Sequence, residues 1–201
     1  MNNAGVAQGA LEHILDVNVH GISRVCSAFL PLLSTSEGRI VNVTSAAGPS
    51  FVSTCGSKYQ ELLTKKDISW SEIVSFMKTC LAVKGGPNDF KKLGLGNGAS
   101  YNISKACANA LTLHLADSNP HLKINACTPG FIETDMTRPM ALYHNKTPQQ
   151  MGMKPPVEGT KSILYLLFGT PLGSGRYYGS DAVRSPLDRY RSPGDPPYTE
   201  S

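Results

Sequence analysis

An α/β fold with a parallel sheet is predicted for this chain of 201 residues, because helical and strand patterns alternate along it. Apolar residues recur at helical spacing in residues 10–34, 100–117 and 158–168. Between them lie two short runs rich in β-branched residues, "GRIVNVTS" and "KINACTPG", a pattern typical of buried strands. Helices that alternate with buried strands favour a parallel sheet covered on its faces.

The intervening segments complete the predicted order. The polar region 57–84 has helical character and is followed by the breaker "KGGPND". We expect a long loop or broken helix over residues 131–156 and a last short strand in "SGRYYGS". The remaining tail, rich in proline and charge, is expected to be irregular surface. Four of the six methionines fall within residues 135–155, so this loop is either a mobile lid over an apolar substrate or a segment packed on the core.

Composition argues against several classes of protein. The net charge is +4, but the basic residues do not cluster, so we expect no nucleic-acid partner. No apolar run approaches the ~20 residues of a membrane span, so we expect no membrane partner. Five cysteines without a C-x-x-C pair suit reduced thiols, which predicts a cytoplasmic location. The five histidines lack metal-ligand spacing, so no metal site is expected.

Tyr101 and Lys105 form the first candidate site. They are four positions apart in a predicted helix and so share one face, opposite the apolar stripe that contains Ile103 and Ala106. A nearby cation favours the phenolate and lowers a phenol pKa from its ordinary value near ~10. Such a tyrosine is suited to general acid–base chemistry. The alternative is an ordinary exposed helix on which the two residues are neighbours by chance.

Polar residues at the ends of the predicted strands form the second candidate site. Thr44 and Ser45 follow the first strand, and Pro129, Gly130 and Thr134 follow the next. Open α/β sheets bind ligands outside the carboxyl ends of their strands. A serine–lysine hydrolase is an alternative use of Ser45, but no G-x-S-x-G elbow surrounds it.

Five motifs occur in one order: "NNAG", "VNVHG", "VNVTS", "YNISK" and "PGFIETDM". In this order they resemble the short-chain dehydrogenase/reductase family, in the carbonyl reductase and salutaridine reductase subgroup, over nearly all of the chain up to about residue 180. The resemblance implies a Rossmann-type, doubly wound parallel sheet. It also implies an NADP-dependent enzyme that reduces a ketone or aldehyde to an alcohol by hydride transfer.

The resemblance assigns a role to each catalytic candidate. Tyr101 corresponds to the general acid, and Lys105 to the lysine that binds the nicotinamide ribose and lowers the tyrosine pKa. Ser45 corresponds to the serine that stabilises charge on the substrate oxygen. Asn18, in "VNVHG", corresponds to the asparagine that holds a water between the lysine and bulk solvent.

The resemblance also implies a cofactor site. Asn3, Ala4 and Gly5 match the turn beside the adenine ribose, and residues 130–134 match the loop over the nicotinamide amide. The implied cofactor-binding residues are Asn3, Ala4, Gly5, Thr44, Tyr101, Lys105, Pro129, Gly130, Ile132 and Thr134. NADPH is the expected cofactor, with NAD as an alternative.

Two departures from the family pattern matter. Ser45 and Tyr101 are 56 positions apart, much farther than in most family members, which indicates a helical insertion at about residues 50–98. Such an insertion resembles that of the carbonyl reductase subgroup and implies a monomer. In addition, no Gly-rich T-G-x-x-x-G-x-G turn and no strand precedes "NNAG". Residues 1–201 are therefore interpreted as a single, incomplete dinucleotide-binding and catalytic domain that lacks the N-terminal strands.

This interpretation leaves a second function open. The chain could be a non-catalytic remnant or an interaction module that cannot bind cofactor. We expect the 201 residues alone to be inactive and poorly soluble, with an exposed edge on the first strand, and the same chain extended by the missing βαβ half to be active. A sugar-nucleotide epimerase of the related extended family is a third possibility. Too few residues follow "PGFIETDMT" for the larger substrate domain of that group.

Overall fold

The computed structural model describes residues 1–199. Within that range a four-stranded sheet runs in the order β1-β2-β3-β4, with bounds Arg39–Val43, Lys123–Cys127, Arg176–Tyr178 and Arg184–Ser185. The first three strands are parallel, and β4 runs antiparallel to β3. The sheet is Rossmann-like, and both strands predicted from β-branched runs, together with "SGRYYGS", are confirmed.

Helices surround this sheet. In chain order they are α1 (Leu11–Leu15), a π-helical turn (Asp16–His20), α2 (Gly21–Phe29), α3 (Ala47–Val52), α4 (Ser57–Thr64), α5 (Trp70–Ala82), α6 (Pro87–Lys92), α7 (Ser100–Ser118), α8 (Arg138–Tyr143) and α9 (Lys161–Phe168). Short 3₁₀ turns occupy Leu30–Leu32 and Pro156–Thr160. No helix within residues 1–199 combines the length and the apolar content that a membrane crossing requires.

The first helix is continuous but contains a π-helical turn at its centre. Asn18 and Val19 lie in this turn and are completely buried. Turns of this kind inside α-helices are rare and occur frequently at functional sites.

Helix α7 is buried on nearly every side. It packs against α3, the π-helical turn, β2, α4 and α5. Lys105 was expected to face away from the core behind the helix. The residue is only 4% exposed, but it borders a cavity at the end of the sheet.

The helical region 57–84 is confirmed as α4 and α5. Ser69 caps α5, since its side chain accepts a hydrogen bond from the Glu72 backbone while the Glu72 carboxylate accepts one from the Ser69 backbone. Helices therefore fill much of residues 50–98. Whether this segment is an insertion into a shorter ancestral domain stays a prediction.

One expectation about the margins of the fold is wrong. The tail was expected to be irregular surface, but it contains β4, and Arg191 is buried against Asp181 at 2.7 Å. As expected, β1 is an outer strand of the sheet. An isolated bridge covers part of its outer edge, because Asn2 exchanges two backbone hydrogen bonds of 2.8 Å with Val41 and Val43.

Candidate active site

A cavity of about 430 Å³ lies at the carboxyl ends of β1 and β2. It brings together Ser45 and all ten residues predicted to bind cofactor. Its lining consists of Asn3, Ala4, Gly5, Val43, Thr44, Ser45, Tyr101, Lys105, Pro129, Gly130, Ile132, Thr134, Asp135, Met136 and Thr137. Segments distant in the sequence thus converge at the edge of the sheet where α/β folds bind ligands.

Tyr101 lies in the first turn of α7 and is half-buried. Burial raises the pKa of its phenol, and the neighbouring Ser45 hydroxyl opposes this shift. The expected lowering of the pKa by Lys105 stays a prediction. The Lys105 Nζ lies over the ring, 5.5 Å from its centroid, and does not outweigh the cost of burying a phenolate. Tyr101 is therefore a protonated acid at neutral pH.

Lys105 is a buried amine, and within residues 1–199 it forms no ion pair with a carboxylate. Its Nζ donates a hydrogen bond of 3.3 Å to the Val43 carbonyl oxygen. Burial lowers the pKa of Lys105 to about 8. An ammonium has three protons to donate, so this group retains donors for hydroxyls of a molecule in the cavity.

Asn18 fixes the N-terminal turn from behind the cavity. Its Oδ1 accepts a 2.9 Å hydrogen bond from the Val6 backbone nitrogen. Its Nδ2 donates to the Val6 carbonyl and to the Ser104 hydroxyl, each at 2.9 Å. The amide of Asn18 thereby holds the backbone of Val6 against α7. The water relay predicted for Asn18 stays a prediction.

Gly5 lets this turn approach the catalytic candidates closely. A Cβ at this position would lie 3.1 Å from Asn18 Oδ1 and 3.5 Å from Lys105 Nζ. Such a contact would require the asparagine to shift. The glycine therefore keeps the space above Lys105 open.

The loop after β2 closes the other side of the cavity. Gly130 has a φ of +93°, a conformation that favours glycine, and its backbone nitrogen donates to the Thr128 hydroxyl at 3.1 Å. Thr137 donates a 2.6 Å hydrogen bond to the Ile132 carbonyl oxygen and so folds the loop back on itself. The loop is thus held in place by its own polar groups.

Sequence reasoning missed some lining residues. Asp135, Met136 and Thr137 follow Thr134 directly in "PGFIETDMT", so extension of the motif by one turn would have found them. Met136 lines the cavity, whereas Met140 is exposed and Met153 is buried. The methionines of the proposed lid therefore have different surroundings. Among the described residues no group of three His, Cys, Asp or Glu side chains could hold a metal ion.

Comparison with known proteins gives one family. A family model described as short chain dehydrogenase matches residues 1–60. Salutaridine reductase of Papaver bracteatum is 33% identical over 134 residues, which cover 66% of this chain and 43% of that protein. Carbonyl reductase (NADPH) 1 of Rattus norvegicus is 28% identical over 191 residues, which cover 87% of this chain and 64% of that protein. The chain thus covers about half of the length of these relatives, from 43% to 64%.

Solved structures give the same picture. The structure of salutaridine reductase from Papaver somniferum is similar with a TM-score of 0.62 at 29% identity, covering 84% of this chain and 54% of that one. Menthone neomenthol reductase from Mentha piperita has a TM-score of 0.59 at 21% identity, and this likeness concerns the fold alone.

Proposed function

Because the chain is a partial homologue of the short-chain dehydrogenases and reductases, in the subgroup of salutaridine and carbonyl reductases, we propose that it reduces a carbonyl compound to an alcohol. The observation that carries the proposal is the convergence of Ser45, Tyr101 and Lys105 in one cavity at the carboxyl ends of β1 and β2. The relatives named as reductases support the reaction class.

Each of the three side chains has a separate role in the proposed reduction. Tyr101 donates its proton to the carbonyl oxygen as the carbon is reduced. Ser45, whose Oγ accepts a 3.2 Å hydrogen bond from the Ala47 backbone, is held where its hydroxyl proton can stabilise charge on the same oxygen. Lys105 in its ammonium form stabilises the phenolate that remains on Tyr101. Asn18 positions the turn that contains Gly5.

A nicotinamide nucleotide fits the donor set of this cavity. When bound, it would supply the hydride. Lys105 would donate to the nicotinamide ribose hydroxyls, residues 130–134 would bind the nicotinamide amide, and Asn3, Ala4 and Gly5 would contact the adenine ribose. We propose NADPH rather than NAD because relatives are named as NADPH-dependent carbonyl reductases.

We further propose a cytoplasmic monomer that acts on a small carbonyl compound and binds neither nucleic acid nor membranes. The packing of α4 and α5 against α7 supports the monomer, because it covers helix faces that a second subunit would otherwise contact. The buried, free cysteines support a reducing compartment.

Tyr101→Phe tests the proposal. In a form of the protein extended by the N-terminal βαβ unit of the family, the variant keeps the ring and loses the acid, so we expect kcat for a panel of aldehydes and ketones with NADPH to fall by ~10²–10⁴-fold. Affinity for NADPH, followed by nucleotide fluorescence, should change little. Tyr143→Phe is the control, because Tyr143 is 86% exposed and lies outside the cavity.

Two results would contradict the proposal. If Tyr101→Phe kept most of the wild-type kcat, Tyr101 would not be the acid. If the extended wild-type protein bound neither NADPH nor NADH, the interaction-module alternative would replace the reductase.

A further inference from the structure

Two buried asparagines connect the N-terminal segment to helix α7, one beside the candidate active site and one farther along the helix. Both are 0% exposed, and each donates a hydrogen bond to a hydroxyl of α7. Asn18 Nδ2 donates to Ser104 Oγ at 2.9 Å. Asn42 Nδ2 donates to Thr112 Oγ1 at 2.8 Å. The two arrangements allow a residue next to the site to be compared with a similar one outside it.

The hydroxyl of Ser104 joins two parts of the candidate active site. It donates a 2.7 Å hydrogen bond to the Tyr101 carbonyl oxygen, while it accepts the bond from Asn18. Asn18 in turn exchanges two hydrogen bonds with the backbone of Val6. A continuous chain of hydrogen bonds thus connects the backbone of Tyr101 with the turn that contains Gly5 and Val6, called here the Gly5 turn.

The first turn of α7 needs such a connection. Its N-cap residue is Ala99, whose side chain accepts no hydrogen bond from the helix. The first N–H groups of a helix have no partner within it, and helix ends fray. Tyr101 projects from this turn, so the hydrogen bonds of Ser104 restrain the part of the helix that determines where the phenol lies.

Ser104 itself does not reach a bound molecule. It is 0% exposed and does not line the candidate cavity. Its influence on a ligand therefore passes through the groups to which it is hydrogen-bonded. The Gly5 turn lies directly against one of them, since a Cβ on Gly5 would be 3.1 Å from Asn18 Oδ1 and 3.5 Å from Lys105 Nζ.

We propose that Ser104 is a positioning residue that holds Tyr101 and the Gly5 turn in one fixed arrangement. The inference rests on the proposed function, since it takes Tyr101 as the acid and the Gly5 turn as part of the cofactor site. Ser104 itself transfers no proton and contacts neither cofactor nor substrate. Its hydroxyl brings the acid and the cofactor-binding turn into register before either ligand binds.

Thr112 provides the matched control. Its hydroxyl donates to the Ala108 carbonyl oxygen at 2.9 Å and accepts from Asn42, so its hydrogen bonds are of the same kind as those of Ser104. Asn42 Oδ1 also accepts a 2.8 Å bond from the Asn2 side chain, and Asn2 keeps its backbone bonds with β1. Alanine at position 104 or 112 leaves one buried amide N–H without its acceptor. We therefore expect the two alanine variants to lose similar melting temperature.

The first test needs neither cofactor nor substrate. Hydrogen–deuterium exchange followed by NMR, in the form of the protein extended by the N-terminal βαβ unit, measures the opening of the Val6 amide. The rate is expressed relative to the amide of Ala126 in β2, so that a loss of global stability cancels. In Ser104→Ala we expect the relative rate at Val6 to rise by about fivefold, which corresponds to ~1 kcal/mol for one lost hydrogen bond. In Thr112→Ala it should equal that of the wild type.

The second test is kinetic and uses the same extended protein with saturating NADPH and the best-reduced carbonyl compound of the panel. Ser104→Ala should lower kcat by about tenfold because the acid is displaced, while KM for the carbonyl compound changes little. In a Tyr101→Phe background the same substitution should have no further effect on kcat, because Ser104 acts through Tyr101. Thr112→Ala should keep the wild-type kcat.

The outcomes separate this inference from the proposed function. Unchanged relative exchange at Val6 in Ser104→Ala would overturn the inference, as would an equal rise in Thr112→Ala. In an active protein, an unaltered kcat of Ser104→Ala would also overturn it, and so would a loss of kcat that persists in the Tyr101→Phe background. Faster exchange at Val6 in a protein that reduces no carbonyl compound would support the positioning role of Ser104 and count only against the reductase.

Discussion

Among residues 1–199 two cationic side chains, Lys105 and Arg191, are buried, and their surroundings differ. Arg191 lies in the tail against the carboxylate of Asp181, and the two side chains are 5% and 16% exposed. Lys105 lies under the candidate cofactor cavity, where its amine meets a backbone carbonyl and the face of an aromatic ring. A buried charge is tolerated when it is paired and hydrogen-bonded. Arg191 meets that condition within the protein, whereas Lys105 would meet it only with a bound molecule.

The largest expected effect comes from removing the partner of the paired cation. Asp181→Asn keeps the shape of the side chain and leaves Arg191 buried without a counter-charge, so the free energy of unfolding should fall by about 3–5 kcal/mol. Urea denaturation followed by circular dichroism measures this change. Asp188→Asn is the control, because the Arg189–Asp188 pair is considerably more exposed and should contribute at most ~1 kcal/mol. Equal losses in the two variants would mean that burial of Arg191 is not what matters.

Removal of the other buried cation, Lys105, is expected to raise the free energy of unfolding instead of lowering it. Because burial lowers the pKa of Lys105 to about 8, the folded state releases this proton more readily than the unfolded state does. Lys105 therefore destabilises the ligand-free fold below pH ~8, and the penalty declines as pH rises towards the ordinary lysine value near ~10.4. We expect Lys105→Met to raise the free energy of unfolding at pH 7 by about 1–2 kcal/mol, less than the full penalty because the Val43 carbonyl loses its donor.

Measurement of the difference between wild type and Lys105→Met at several pH values tests this expectation. The difference should shrink between pH 8 and 10. Using the difference also cancels the titration of the buried cysteines, which changes stability in the opposite direction because burial raises their pKa. A Lys105→Met variant less stable than wild type at pH 7 would show that the lysine is structural, as Arg191 is.

The smallest effect concerns the turn between β3 and β4, which Asp181 also braces. Ala182 has a φ of +64°, and the Val183 backbone nitrogen donates to Asp181 at 3.2 Å in the same turn. A left-handed conformation costs a residue with a Cβ ~1–2 kcal/mol, part of which glycine loses again as conformational entropy. Ala182→Gly should therefore stabilise the fold by roughly 0.5 kcal/mol, measured by thermal denaturation.

Asn145 offers a control for this turn. Its φ is +51°, but asparagine adopts that conformation more readily than alanine does. Asn145→Gly should then give a smaller gain than Ala182→Gly. The reverse order would mean that Asp181 and its partners, rather than the residue at position 182, determine the conformation of the turn.

Many of the helices and strands could be predicted from the sequence. Local patterns located the helix that contains Tyr101 and both central strands, because β-branched runs and helical spacing depend on neighbours close in the chain. Motif order placed the cofactor candidates, and all of them line one cavity. The roles of Ser45, Asn18 and the other site residues remain predictions that the variants above can test.

The sequence by itself determined which residue types stand at the strand ends and in the first turn of α7. Only the tertiary structure decided their environment. The burial of Lys105 and the direction of the Tyr101 pKa shift depend on elements packed from distant parts of the chain, and no local pattern encodes how much water they exclude. The same holds for Tyr177, since its local pattern predicted a strand, whereas its burial depends on the packing of distant segments around β3.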